Sequence, residues 1–95
     1  MKKTAPFDSA RYLDDEKAIA AYLSEALETG DPAFLADALG VVAKAKGMSA
    51  IARETNLSRE SLYRALSAEG NPEFGTVMSV MKALGVRLTA TPVAA

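Results

Sequence analysis

The chain has 95 residues, which suits one compact domain and is too short for two independent cores, because a chain of this size buries only about two-thirds or less of its unfolded surface. Hydrophobic residues make up 49% and charged residues 24%, a globular balance that excludes a disordered or collagen-like chain. Cysteine and histidine are both absent. That removes disulfides, thiol nucleophiles, imidazole bases and zinc sites that need either side chain, so neither an enzyme, a metal, a cofactor nor a small-molecule substrate is expected.

The formal net charge of -1 conceals an asymmetry. Residues 1–43 hold four basic side chains (Lys2, Lys3, Arg11, Lys17) against eight acidic ones, a net -4, whereas residues 44–95 hold seven basic groups against Glu54, Glu60, Glu69 and Glu73, a net +3. Two halves of opposite sign point to two different partners. Met1-Lys2-Lys3 runs into Thr4-Ala5-Pro6-Phe7-Asp8 rather than an apolar segment, so no targeting signal is read and a cytoplasmic protein is expected. The helical stretches fall short of the roughly 20 apolar residues needed to cross a bilayer, and no membrane role is expected.

In chain order, residues 1–13 read as an N-terminal arm and 14–95 as a single domain. From Asp15 to Glu28, Ile19, Leu23, Ala26 and Leu27 recur on one helical face, which predicts a first helix ended by Gly30. Asp31-Pro32 supplies an N-cap acceptor and a proline at the first helical position, and the second helix runs from Pro32 to about Lys46 on a Leu35, Ala38, Leu39 and Val42 stripe, stopped by Gly47. Ser49 is expected to cap a short third helix that ends near Asn56, a residue that tolerates the left-handed conformation. Ser58 caps a fourth helix from Arg59 to about Ala68, with Leu62 and Leu66 inward, and Gly70-Asn71-Pro72 interrupts the chain. A fifth helix spans about Glu73 to Leu84 on Val77, Val80, Met81 and Leu84. Val86-Arg87-Leu88-Thr89-Ala90-Thr91 alternates and favours extended structure, which predicts a short C-terminal β-strand over 86–91. The fold class expected is all-α: five helices and that strand.

Met48 through Leu66 forms two short amphipathic helices across a capped turn, the pattern of a helix-turn-helix. Set in a major groove, the second helix directs Arg59, Glu60, Ser61 and Arg64 towards base edges, with a phosphate contact as the alternative for Arg59. Lys44, Lys46, Arg53 and Ser58 suit positioning on the phosphate backbone. Tyr63 has two readings, phosphate contact or an ordinary aromatic at the edge of the core.

The segment from Met48-Ser49 through Ala52-Arg53-Glu54-Thr55, Leu57-Ser58-Arg59-Glu60-Ser61-Leu62-Tyr63-Arg64-Ala65-Leu66 and Gly70-Asn71-Pro72-Glu73-Phe74 to Ala83-Leu84-Gly85 resembles the probable addiction-module antidote proteins. These are lambda-repressor-like helix-turn-helix proteins similar to HigA-type antitoxins. Tyr12-Leu13-Asp14-Asp15, Ala18 through Leu23 and Gly30-Asp31-Pro32 resemble the family's N-terminal pattern, so the likeness covers about residues 7–91. It implies an antitoxin of a type II toxin-antitoxin module that neutralises a cognate, usually RNase-like toxin and represses its own operon on double-stranded promoter DNA; a stand-alone transcriptional regulator is the alternative. Arg59 and Ala50 stand where such segments often carry glutamine, so readout by a glutamine amide does not transfer, and Asn56 stands where glycine is common.

With a toxin implied, the acidic half offers Asp14, Asp15, Glu16, Glu25 and Glu28 as candidate contacts for a basic partner, against the alternative of solvated helix faces and caps. The tail is expected to pair with a symmetry mate through Val86, Leu88 and Ala90 in a homodimer, the alternatives being addition to a partner's sheet or folding back on its own helices.

Overall fold

The computed structural model describes residues 15–94, and within it the chain forms five helices: α1 Glu16–Glu28, α2 Pro32–Lys46, α3 Met48–Thr55, α4 Arg59–Ala65 and α5 Phe74–Ala83. The N-terminal arm, Asp14 included, lies outside the described residues.

Local chemistry sets most of the boundaries. Asp15 accepts a hydrogen bond from the Ala18 amide at 2.8 Å and starts α1. Asp31 accepts from the Ala33 amide at 3.0 Å, and Pro32 follows at a position where its missing N–H costs nothing. The expectation that Ser49 caps α3 does not hold: α3 begins at Met48, directly after Gly47, whose φ of 112° swings the chain between α2 and α3 without a side-chain cap. Gly47 also donates to the Ala43 carbonyl at 2.9 Å, so one residue ends one helix and opens the next.

α3 closes on Asn56, left-handed at φ 63°, and the Leu57 amide donates back to the Ala52 carbonyl at 3.1 Å. This is a Schellman closure built on asparagine instead of glycine. Leu57 packs against the core beyond it, and Thr55 adds a hydroxyl bond to the Ile51 carbonyl at 2.8 Å. The turn between α3 and α4 is therefore closed by its own backbone.

α3 occupies the centre, packing on α2, α4 and α5, while α1 lies against α2. Ile19, Leu23, Leu39, Val42, Ile51, Leu62, Val80 and Leu84 are fully buried, and among the described residues no polar side chain is buried. The stabilisation is thus apolar burial and close packing, on which truncation of a core leucine such as Leu62 to alanine costs about 2–5 kcal/mol. Leu27, expected on the inward stripe of α1, is 40% exposed at its edge.

α4 is shorter than its sequence suggests, ending at Ala65 rather than near Ala68. Leu66 leaves helical geometry at ψ 60°. The Ser67 hydroxyl donates to the Arg64 carbonyl at 3.0 Å, and Gly70 lies directly against the carbonyls of Arg64 and Ala65. The chain doubles back beneath the helix end, and only a residue without a Cβ fits there.

The predicted C-terminal strand is absent. No described residue is in a β-strand, and residues 86–94 follow α5 without regular structure. The physical reason is that a strand needs a second row of unpaired backbone groups, and the described chain offers only helices whose backbone is already satisfied. Gly85, at φ 83°, ends α5 in a Schellman motif, with its amide on Lys82 and the Val86 amide on Met81, each at 3.0 Å. Val86 and Leu88 then pack against the helical core.

Candidate nucleic-acid interface

α4 projects from the body on one apolar side. Leu62 is fully buried and Leu66 nearly so, whereas Arg59, Glu60, Tyr63 and Arg64 are exposed. The helical period explains this sorting, since residues one, four and five places along a helix share the face opposite its buried leucine. Three of the four expected base-contact residues, Arg59, Glu60 and Arg64, stand on that outer face.

Ser61, the fourth, is half-buried and tied to the helix entrance. The Ser58 hydroxyl accepts from the Ser61 amide at 3.0 Å and donates to the Ser61 hydroxyl oxygen at 2.9 Å. Ser58 is consequently the N-cap of α4 before it is anything else, and its oxygen is occupied by the backbone it caps. The Ser61 hydroxyl keeps its own proton to donate.

The expected phosphate-contact residues arrive from three helices. Lys44 and Lys46 are exposed on the last turn of α2, where they also complement the negative end of its dipole, and Arg53 is exposed on the last turn of α3. Arg53, Ser58 and Arg59 line one shallow depression at the turn, floored by Ala52 and Leu57. Tyr63 stands near two of the cations: the Lys44 ammonium lies 5.8 Å and the Arg59 guanidinium 5.9 Å from the centre of its ring. Tyr63 is 43% exposed, a ring at the surface with a cation from each of two helices near it. Such contacts are worth about 0.5–1 kcal/mol each at exposed sites, enough to bias where the cations sit.

The acidic candidates do not form one cluster. Asp15 is the cap of α1, Glu16 lies over Gly85 at the other end of the fold's sequence, and Glu25 and Glu28 are one turn apart near the end of α1, more than ~13 Å along the helix from Glu16. Among the described residues no three acidic side chains are grouped to hold a metal ion, and no described helix is long and apolar enough to cross a membrane.

Of the dimerisation candidates, Val86 and Leu88 direct their side chains to their own core and Ala90 is exposed. Tyr22, half-buried against α2, has its phenol pKa raised from 10.0, first by burial and then by the negative charge of Asp37. The sequence reading missed an apolar groove at the end opposite the basic residues of α2, lined by Leu27, Pro32, Leu35, Phe74, Val77 and Leu88. Its one visible signal was Phe74, an aromatic at a helix start with no inward stripe position.

A 49% identical relative, an uncharacterized protein of Haemophilus influenzae (strain ATCC 51907 / DSM 11121 / KW20 / Rd), aligns over 81 residues, 85% of this chain and 84% of its own length. No solved structure matches. The family described as "Probable addiction module antidote protein" matches residues 3–92, and at that coverage the chain belongs to this family, as an antidote component of a toxin-antitoxin module.

Proposed function

We propose that this antitoxin is a dimeric repressor that reads promoter DNA with α4, and that it neutralises a cognate RNase-like toxin by binding it. The observation that carries the DNA half is the outer face of α4: Arg59, Glu60 and Arg64 project together, with no apolar residue but Tyr63 among them, and Lys44 of α2 is brought beside Arg59 across that ring. Guanidinium and carboxylate groups on a projecting helix match the donor and acceptor pattern of a major groove, Arg64 to guanine and Glu60 to a cytosine amino group. Lys44, Lys46, Arg53 and Arg59 surround it as phosphate contacts, each releasing counterions on binding.

Two copies related by a twofold axis place their α4 helices in half-sites about 34–36 Å apart, which supplies the affinity one small module lacks. Repression then follows from occupancy of the promoter and needs no chemistry. Asp15, Glu16, Glu25 and Glu28, with Asp14 beyond the described residues, supply negative potential that speeds association with a basic toxin.

The test pairs two assays. Arg64→Ala lowers affinity for the operator and alters base preference, whereas Lys46→Ala weakens all duplexes alike; equal, sequence-independent losses from both reject base reading by Arg64. Co-expression with the adjoining small gene product restores growth and yields a copurifying complex. DNA binding without rescue or complex identifies a stand-alone regulator instead.

A further inference from the structure

The apolar groove at the far end of α2 has a volume of about 630 Å³ and is lined by Leu27 of α1, Pro32 and Leu35 of α2, Phe74 and Val77 of α5 and Leu88 of the tail. Phe74 is 69% exposed and Leu27 40% exposed. Large apolar side chains gathered around one depression, rather than scattered singly, mark a surface that another molecule covers. Asp31 and Glu69 line the same groove and are the charged residues of its lining; of the exposed residues next to lining ones in sequence, Glu28 and Glu73 are acidic and Arg87 is basic. The floor is apolar and its rim is acidic.

That rim selects the occupant. A second copy of the chain meeting this groove across a twofold axis sets the same carboxylates against themselves, which like-charge repulsion opposes. Nucleic acid is repelled outright. We infer that the groove is the seat of the cognate toxin, taking an apolar side chain carried on a basic segment: the apolar group packs on Phe74 and Leu27 while lysine or arginine beside it meets Asp31 and Glu69, with Glu28 next to Leu27 adding to the negative potential. This rests on the antitoxin role and names a surface for it separate from the acidic residues at the start of α1.

The position of the groove has a consequence for regulation. Its α2 residues end at Ala36, and the basic end of that helix begins at Lys44, about 12 Å further along the axis. None of Arg59, Glu60 and Arg64 lines the groove, although Ala68 and Glu69 at its edge lie four and five residues past Arg64. A toxin that contacts the chain only at the groove leaves that face to DNA, so toxin and promoter are held at once.

The experiment uses the full chain and the purified product of the adjoining small gene. Wild type is tested first; if it forms no complex, the antitoxin role itself fails and the seat with it. Given a wild-type complex, Phe74→Lys weakens it roughly 30-fold, as expected for an anchor residue, and Glu28→Lys/Glu69→Lys slows association with the same partner. Both variants keep wild-type circular dichroism, sedimentation and operator binding, since all three residues are exposed and none caps a helix. Adding the toxin to a wild-type antitoxin–operator complex produces a slower-migrating ternary species. An unchanged affinity in Phe74→Lys overturns the seat, and so does an altered oligomeric state of the free Phe74→Lys chain, which assigns the groove to self-association. Release of operator on toxin addition overturns simultaneous binding.

Discussion

The backbone of Gly40 in α2 lies directly against the carbonyl oxygen of Leu66, the residue that ends α4, with no space for a methyl group between them. A glycine that weakens a helix interior is used here to let two helices approach, and the contact sets the depth at which the outward face of α4 is held. Gly40→Ala forces backbone against backbone, which side-chain rearrangement cannot relieve. The expected loss is about 1–3 kcal/mol, read as a fall in Tm of roughly 4–8 °C per kcal/mol for a domain of this size, together with weaker operator binding by a chain that still folds.

Asn56 carries the turn of the helix-turn-helix at φ 63°. Asn56→Gly removes the residual cost of that conformation and leaves stability within about 1 kcal/mol of wild type. Asn56→Val places a β-branched residue where it is a conformational outlier and lowers stability by about 1–2 kcal/mol. Chemical denaturation of both variants, with unchanged m-values, distinguishes this backbone effect from a change in the compactness of the unfolded chain.

Ser58 caps α4 through the Ser61 amide and also donates to the Ser61 hydroxyl. Ser58→Ala removes both bonds at about 1 kcal/mol, whereas Ser58→Asp restores the cap and adds a favourable charge at the positive helix end. The two variants separate stability from DNA affinity: Ser58→Asp recovers the melting temperature but places a negative charge beside the proposed phosphate contacts Arg53 and Arg59, so its binding falls below that of Ser58→Ala.

Tyr63 places Lys44 and Arg59 around one ring. Tyr63→Leu frees both cations and lowers affinity for operator and random duplex alike, while Tyr63→Phe keeps the ring and its two contacts. Replacing Arg59 itself with alanine flattens the slope of log affinity against log salt by about 0.9 if it contacts a phosphate. Ring-current shifts on the Lys44 and Arg59 methylenes, present in the free wild-type protein and lost in Tyr63→Leu, report the arrangement without DNA.

The phenol of Tyr22 ionises above its ordinary value of 10.0 because burial and then the charge of Asp37 disfavour the phenolate. The folded state thus holds this proton more tightly than the unfolded chain. The sign follows: the stabilisation is fully present below pH 10 and is lost as the pH rises through the folded-state value. Asp37→Asn removes the smaller of the two causes and moves the phenol part of the way back, as ring-carbon NMR titration of Tyr22 reads.

Much of the helical fold was legible because its signals are local. Asp31 and Ser58 cap helices within three residues of themselves, Asn56 and Gly85 turn the chain by their own backbone preferences, and the stripes through Leu39, Leu62 and Val80 repeat every turn. Arg59, Glu60 and Arg64 reach a common face for the same reason, since helical period alone sorts them from Leu62. The tail shows the limit. Alternation from Val86 to Thr91 describes a segment able to be a strand, but a strand is completed by a neighbour's hydrogen bonds, and here Val86 and Leu88 gain more by packing on the helices.

What the sequence by itself determined, then, is the order of helices, the caps at Asp31 and Ser58, the turn and the family to which the chain belongs. What only the tertiary structure decided is which distant residues meet. Tyr63 finds Lys44 because α4 packs on α2, and Asp31 and Glu69 come to line one groove because the chain doubles back after α4 at Gly70. The division into an acidic first half and a basic second half was true of the chain yet does not describe the surface: the acidic rim draws from both halves, since charge is felt across space and not along sequence.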